Sequence, residues 1–288
     1  MKRLNGIALS VAFCSLASQA ALAQTKIDTL KVQHLNEVIV KGVRATKEAP
    51  YAIANIKKSE LQQFSSTGKE LPFLLSRTPG ILAWGENGIG TGTTYMRIRG
   101  AAGSRINVTL DGVALNSPED QTVFWANMNS YASLLGSVQV QRGVGSSTNG
   151  DGAFGGSISM ATAAPSLTPM AEVTGSYGTY NTYNTGVSFA TGLMGNHLVF
   201  DGAYHETATD GYIDGTDGRS GSYYGGLTWL GDNFKISYKN IGNFEKTGQA
   251  WNGVLGGDYN TNFTYVRGWT GEIQCPDWRF GAQWKGRL

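Results

Sequence analysis

Three groups of residues in this 288-residue chain have types and spacings that could do chemistry. Gly150-Asp151-Gly152-Ala153-Phe154-Gly155 satisfies the G-x-G-x-x-G spacing that lets a backbone turn approach a dinucleotide pyrophosphate. That chemistry needs a helix after the glycines, whereas Ser157-Ile158-Ser159-Met160 reads as a β run, so nucleotide binding is set aside. Asp210, Asp214 and Asp217 could gather calcium, but they lack the twelve-residue spacing and closing Glu of a calcium loop, and Asp-Gly pairs form turns in any case. His34, His197 and His205 have no paired spacing for zinc, and no Ser or Cys nucleophile motif accompanies them. The reading is therefore not an enzyme, with no cofactor and no metal.

Composition points to a turn-rich β protein: 41% hydrophobic, 15% charged and 40 glycines. A net charge of +2 with scattered Lys and Arg leaves no basic tract to follow a phosphate backbone, so no nucleic-acid partner is expected. Lys2 and Arg3 precede an apolar stretch ending in Ala21-Leu22-Ala23, the pattern of a secretory signal over residues 1–23. Cys14 would leave with it, and Cys275 alone can form no internal disulfide.

The elements that must position any site follow from periodicity. Residues 24–49 are polar with one β-prone run at Val38-Ile39-Val40 and read as a periplasmic tether. Residues 50–164 read as a small α+β domain. Ser59 and Gln62 suggest a capping box for a helix through Phe64, and Lys69 to Ser76 a second helical turn ahead of Pro79-Gly80. Short strands are predicted at Tyr95 to Arg99, Ile106 to Asp111, Val138 to Gln141 and Ser157 to Ala161. Pro165 and Pro169 then break pairing.

From 170 to 257 the alternation becomes regular over about five strands, with Tyr183, Val187, Phe189, Phe200, Tyr204, Tyr223, Leu227, Trp229, Ile236 and Tyr238 on apolar faces. His197 and His205 are predicted on the polar face, and a long loop from Glu206 to Gly221. In an exported chain this pattern predicts the first antiparallel strands of an incomplete transmembrane β-barrel; a soluble sandwich also alternates. Alternation fades over 258–288, which suggests a truncated or frame-shifted reading frame and too few strands to close a barrel and function alone.

Four stretches together resemble the TonB-dependent outer-membrane receptors. Asn36-Glu37-Val38-Ile39-Val40-Lys41-Gly42 resembles the TonB box, with Lys41 where the family commonly has Thr. Ser59 to Ile81 resembles the helix and "PG" motif of the plug domain. Met96-Arg97-Ile98-Arg99-Gly100 and Leu110-Asp111-Gly112-Val113 resemble its "RIRG" and "DGV" motifs. Val138 to Gly143, then Gly152-Ala153-Phe154-Gly155-Gly156-Ser157-Ile158, resembles the plug's end.

The resemblance implies active uptake of a scarce solute such as a ferric siderophore, haem, cobalamin or an oligosaccharide, in the outer membrane of a Gram-negative bacterium. The implied partners are outer-membrane lipid, the small solute, and TonB with its inner-membrane motor proteins. Asn36 to Gly42 would couple to TonB by strand addition. Arg97, Arg99, Gly100, Asp111, Gly112, Arg142, Gly143, Gly155 and Gly156 would seat the plug, its arginines pairing with acids on the barrel wall. Trp84, Asn87, Tyr95, Asn116 and Trp125 would contact solute. A secreted or surface-attached β protein that binds a ligand passively is the alternative.

Overall fold

The computed structural model describes residues 44–45, 50, 52–85, 87–145, 153–213, 215–231 and 233–248. The signal, most of the tether, the Asn36 to Gly42 run and the 258–288 tail lie outside the described residues, as do His34, Asp214 and Cys275.

The first domain opens on β1 (Ala52–Lys57), which runs straight into α1 (Lys58–Ser65). Ser59 therefore falls inside the helix: the position before it is Lys57, still extended, with no side-chain cap. The expected capping box does not form, because β1 is held to its partner strand up to Lys57 and hands the chain to the helix without a free cap position. Next come α2 (Leu71–Leu75), β2 (Ile81–Gly85), β3 (Thr94–Ile98), β4 (Ile106–Leu110), β5 (Val113–Ala114) and α3 (Tyr131–Leu134). β6 (Leu135–Arg142) and β7 (Gly156–Thr162) complete the domain.

Five of these strands form one mixed sheet in the order β1-β6-β7-β4-β5, with β4 and β7 parallel, while β2 and β3 pair separately. Strand alternation sends Val138, Val140, Ile158 and Met160 toward the helices, where they are buried with Leu61, Phe64, Leu71 and Leu75. Each such side chain contributes about 1.5–3 kcal/mol on burial. Ser137, Gln139, Ser157 and Ser159 point the other way, so the second face of the sheet is polar.

The "RIRG" and "DGV" motifs end in matching turns. Arg99 (φ 49°) with Gly100 (φ 84°), and Asp111 (φ 49°) with Gly112 (φ 86°), each place two consecutive residues at positive φ, as a type I′ turn requires. The turns close the pairs Ile98↔Ala101 and Leu110↔Val113. Gly156 answers a different need: a Cβ there would stand 2.4 Å from the Gln141 carbonyl oxygen, so only glycine lets β7 approach β6 so closely.

The second half is an antiparallel meander of β8 (Met170–Tyr177), β9 (Tyr183–Ala190), β10 (Leu198–Thr209), β11 (Gly218–Leu230) and β12 (Lys235–Thr247). Its two faces differ as alternation predicts. Val173, Phe200, Tyr223, Trp229 and Tyr238 are exposed on one, while Asn184, His205, Thr207, Ser222 and Thr228 are buried on the other. The described strands form no closed barrel.

Two expectations need correction. The Glu206 to Gly221 loop shrinks to residues 210–217, because Glu206 to Thr209 stay paired with Gly218 to Gly221. His197 lies outside β10, exposed and stacked on Trp229 of the apolar face at 5.2 Å. The chain reverses between Met194 and Leu198, so strand phase no longer governs it.

Candidate solute-binding site and domain seam

A cavity of about 530 Å³ opens beside the β2–β3 hairpin, within the size range of small-molecule sites. Trp84 and Tyr95 face each other in the hairpin register and stack at 5.4 Å, and the Arg97 guanidinium lies 5.8 Å from the Trp84 ring. Phe124 and Trp125 form another side, and Glu245 of β12 reaches in from the meander. The sequence singles out Trp84, Tyr95 and Trp125; Phe124, 60% exposed, falls in the same apical stretch from Asn116 to Trp125 but is not picked out within it.

Asn87 and Asn116 do not join this lining. Asn87 is buried, its Oδ1 accepting from the N–H groups of Ile89 (3.0 Å) and Gly90 (3.1 Å) while its Nδ2 donates to Thr91. Asn116 Oδ1 accepts from Val108 N (2.8 Å), and its Nδ2 donates to the carbonyls of Ile106 (2.9 Å) and Gln121 (2.8 Å). The Asn116 amide is bonded to backbone and the Asn87 amide to backbone N–H groups and the Thr91 hydroxyl, so both shape their loops.

The three arginines make contacts within the first domain. Arg142 Nη1 donates to the Pro79 carbonyl at 2.7 Å, Arg97 lies over a ring, and Arg99 supplies the I′ turn, its N–H donating to Gly80 O at 2.7 Å. Among the described residues the ion pairs are Arg219–Glu206, within the meander, and Lys239–Asp111, between the two halves. Among the described residues none of the three arginines forms an ion pair with a carboxylate of the meander.

The seam is held with the opposite polarity. Asp111 accepts from the Thr162 N–H (2.9 Å) and hydroxyl (2.8 Å), and from Lys239 Nζ at 2.8 Å. Burial raises the pKa of Asp111, but the lysine and the two Thr162 donors outweigh it and hold the carboxyl below its ordinary value. Ser176 donates to Ser66 O at 2.6 Å, and Asn129 donates to Ser220. Glu70 is 1% exposed and hydrogen-bonded by Thr94, with Oε1 unpartnered. Burial pushes its pKa well up, and the nearby Glu245 adds to the effect.

Residues 45–157 match the family model for the TonB-dependent Receptor Plug Domain. The chain carries a TonB-dependent receptor plug domain. The plug is followed by strands arranged as in solved receptors. The siderophore receptor PirA of Acinetobacter baumannii is 17% identical, with a TM-score of 0.55 over 71% of this chain and 32% of its own. The copper transporter OprC (16%, TM-score 0.58) is covered over 33% of its length by 72% of this chain. The ferric yersiniabactin receptor FyuA of Yersinia pestis (16%, TM-score 0.56) is covered over 34% by 73% of this chain. The chain thus spans about a third of these structures, and the likeness is one of fold. No curated protein sequence matches it.

Proposed function

We propose that this chain serves TonB-dependent uptake of a scarce solute across the outer membrane of a Gram-negative bacterium, as the plug and first wall strands of a receptor. The observation that carries the reading is the arrangement of the two halves. The plug lies on the polar face of a strand meander whose other face exposes Val173, Phe200, Tyr223, Trp229 and Tyr238. Apolar side chains in that number and periodicity suit lipid, and a polar inner face suits a plug.

In this reading solute binds from outside in the cavity of Trp84, Tyr95, Phe124 and Trp125. The aromatic lining suits a solute with ring faces, such as an aromatic ferric chelate or haem. Asp111, Gly112, Gly100 and Gly156 seat and shape the plug, together with Arg142 through Pro79. TonB pairs with Asn36 to Gly42 and, driven by its inner-membrane motor partners, pulls on the plug without covalent chemistry. Strand addition needs free backbone N–H groups, so proline blocks it. Titration of the full chain with the periplasmic domain of TonB tests the reading. Binding is expected for the wild type and loss of at least tenfold for Val38→Pro; binding that is absent, or indifferent to proline, overturns it.

A further inference from the structure

We propose that Arg44 is the point at which tension on the preceding residues first enters the plug sheet, a clip that must release before β1 is loaded. The inference rests on the reading that residues 36–42 are where TonB pulls. The guanidinium of Arg44 bridges the two adjacent strands β6 and β7 on their polar face. Its Nη1 donates to Ser137 Oγ (2.8 Å), Nη2 to the carbonyls of Ser137 (3.2 Å) and Ser159 (2.9 Å), and Nε to Ser159 Oγ (3.2 Å). Only a planar fork of N–H donors reaches four acceptors on two strands at once.

The next residue extends the clip. The Ala45 N–H donates to Gln139 Oε1 (2.8 Å), while Gln139 Nε2 donates to Ala45 O (3.0 Å) and to Asn55 Oδ1 of β1 (2.9 Å). In chain order a pull on residues 36–42 meets Arg44 eight positions before Ala52 opens β1. β1 is the edge strand, and tension applied at Ala52 would peel its ladder from the Ala52↔Arg142 end, one bond at a time. The bonds of Arg44 are instead loaded together, and they deliver the force to β6 and β7 inside the sheet. No feature of the sequence around Arg44 announces this, since its partners lie 93 and 115 positions away.

The test is force spectroscopy on the full chain with Cys14→Ser and Cys275→Ser, and with handles at Lys41→Cys and Thr168→Cys. A short first extension step is expected, no longer than roughly 30 Å, the reach of residues 44–52. Arg44→Ala should abolish this step, and Arg44→Lys, which keeps the charge and loses the fork, should lower its force. Ser137→Ala with Ser159→Ala removes two acceptors without touching Arg44, should lower the force likewise, and decides the matter if Arg44→Ala does not fold. A first step unchanged in these variants overturns the proposal. Failure to bind TonB with the step intact would sink the coupling reading and leave the clip standing.

Discussion

Nζ of Lys239 on β12 lies 2.8 Å from Oδ2 of Asp111, at the turn between β4 and β5, and ties meander to plug across 128 positions of sequence. Both side chains are 23% exposed, so the pair is neither fully buried nor a free surface contact. Asp111→Asn or Lys239→Met is expected to cost about 1–3 kcal/mol, because each leaves a half-buried charge without its partner. A double-mutant cycle read by denaturant unfolding should return a coupling near the single losses. The depressed Asp111 value also sets a sign. This stabilisation is complete above the ordinary value of 3.8 and is lost as pH falls through the lower folded value.

Glu70 works in the opposite direction. Its raised value means that the folded chain holds a proton that the unfolded chain has released above about 4.5, so stability falls as pH rises through the interval above that value. Glu70→Gln, which keeps the acceptor for Thr94, should flatten the slope. Thermal unfolding of both proteins across that pH range checks this, and parallel slopes would refute it.

Gly100 isolates the cost of turn geometry. Its φ is 84° and a Cβ there would meet nothing within 4 Å, so Gly100→Ala adds backbone strain without a clash. The expected loss is about 1 kcal/mol. Measured stability equal to wild type would mean that the turn relaxes out of its I′ form.

Trp84→Ala should weaken solute binding at least tenfold with little change in stability, since Trp84 is exposed, whereas Trp125→Ala, at a ring buried in the plug core, should also cost about 3–5 kcal/mol. Asn116→Ala should destabilise the plug by about 1–3 kcal/mol, since Val108 N–H and the Ile106 carbonyl lose their partner. Calorimetric titration with a panel of ferric siderophores and haem, run beside unfolding curves, separates the two classes.

These contrasts mark what the sequence could convey. Alternation along Tyr183 to Tyr238 was enough to sort the meander into an apolar and a polar face, because strand period and burial are both local. Lys239 was on the polar side of that pattern, yet its partner was invisible, being set by how two halves of the chain dock. Asn87 and Asn116 read as solute contacts because a polar residue in an apical loop has the same letter whether its amide is free or spent on backbone. β1 escaped notice for a related reason: Ala52–Lys57 is a strand only by virtue of pairing with β6, some 80 residues on. The "RIRG" and "DGV" motifs were legible as motifs, but their I′ turns and the docking of the Asp111 carboxylate on Lys239 were not, since the first is a backbone property and the second is set by how the two halves meet.

The central claim is that one face of the meander meets lipid and the other meets the plug. Spin labels at Val173→Cys and Tyr238→Cys, compared with Ser222→Cys, in the full chain reconstituted into phospholipid vesicles, test it most directly. The account predicts that Val173 and Tyr238 labels are relaxed by oxygen and shielded from a water-soluble nickel chelate, while the Ser222 label is immobile and shielded from lipid. Nickel access at Val173 and Tyr238 equal to that of a free peptide would contradict the account and leave a soluble sheet in its place.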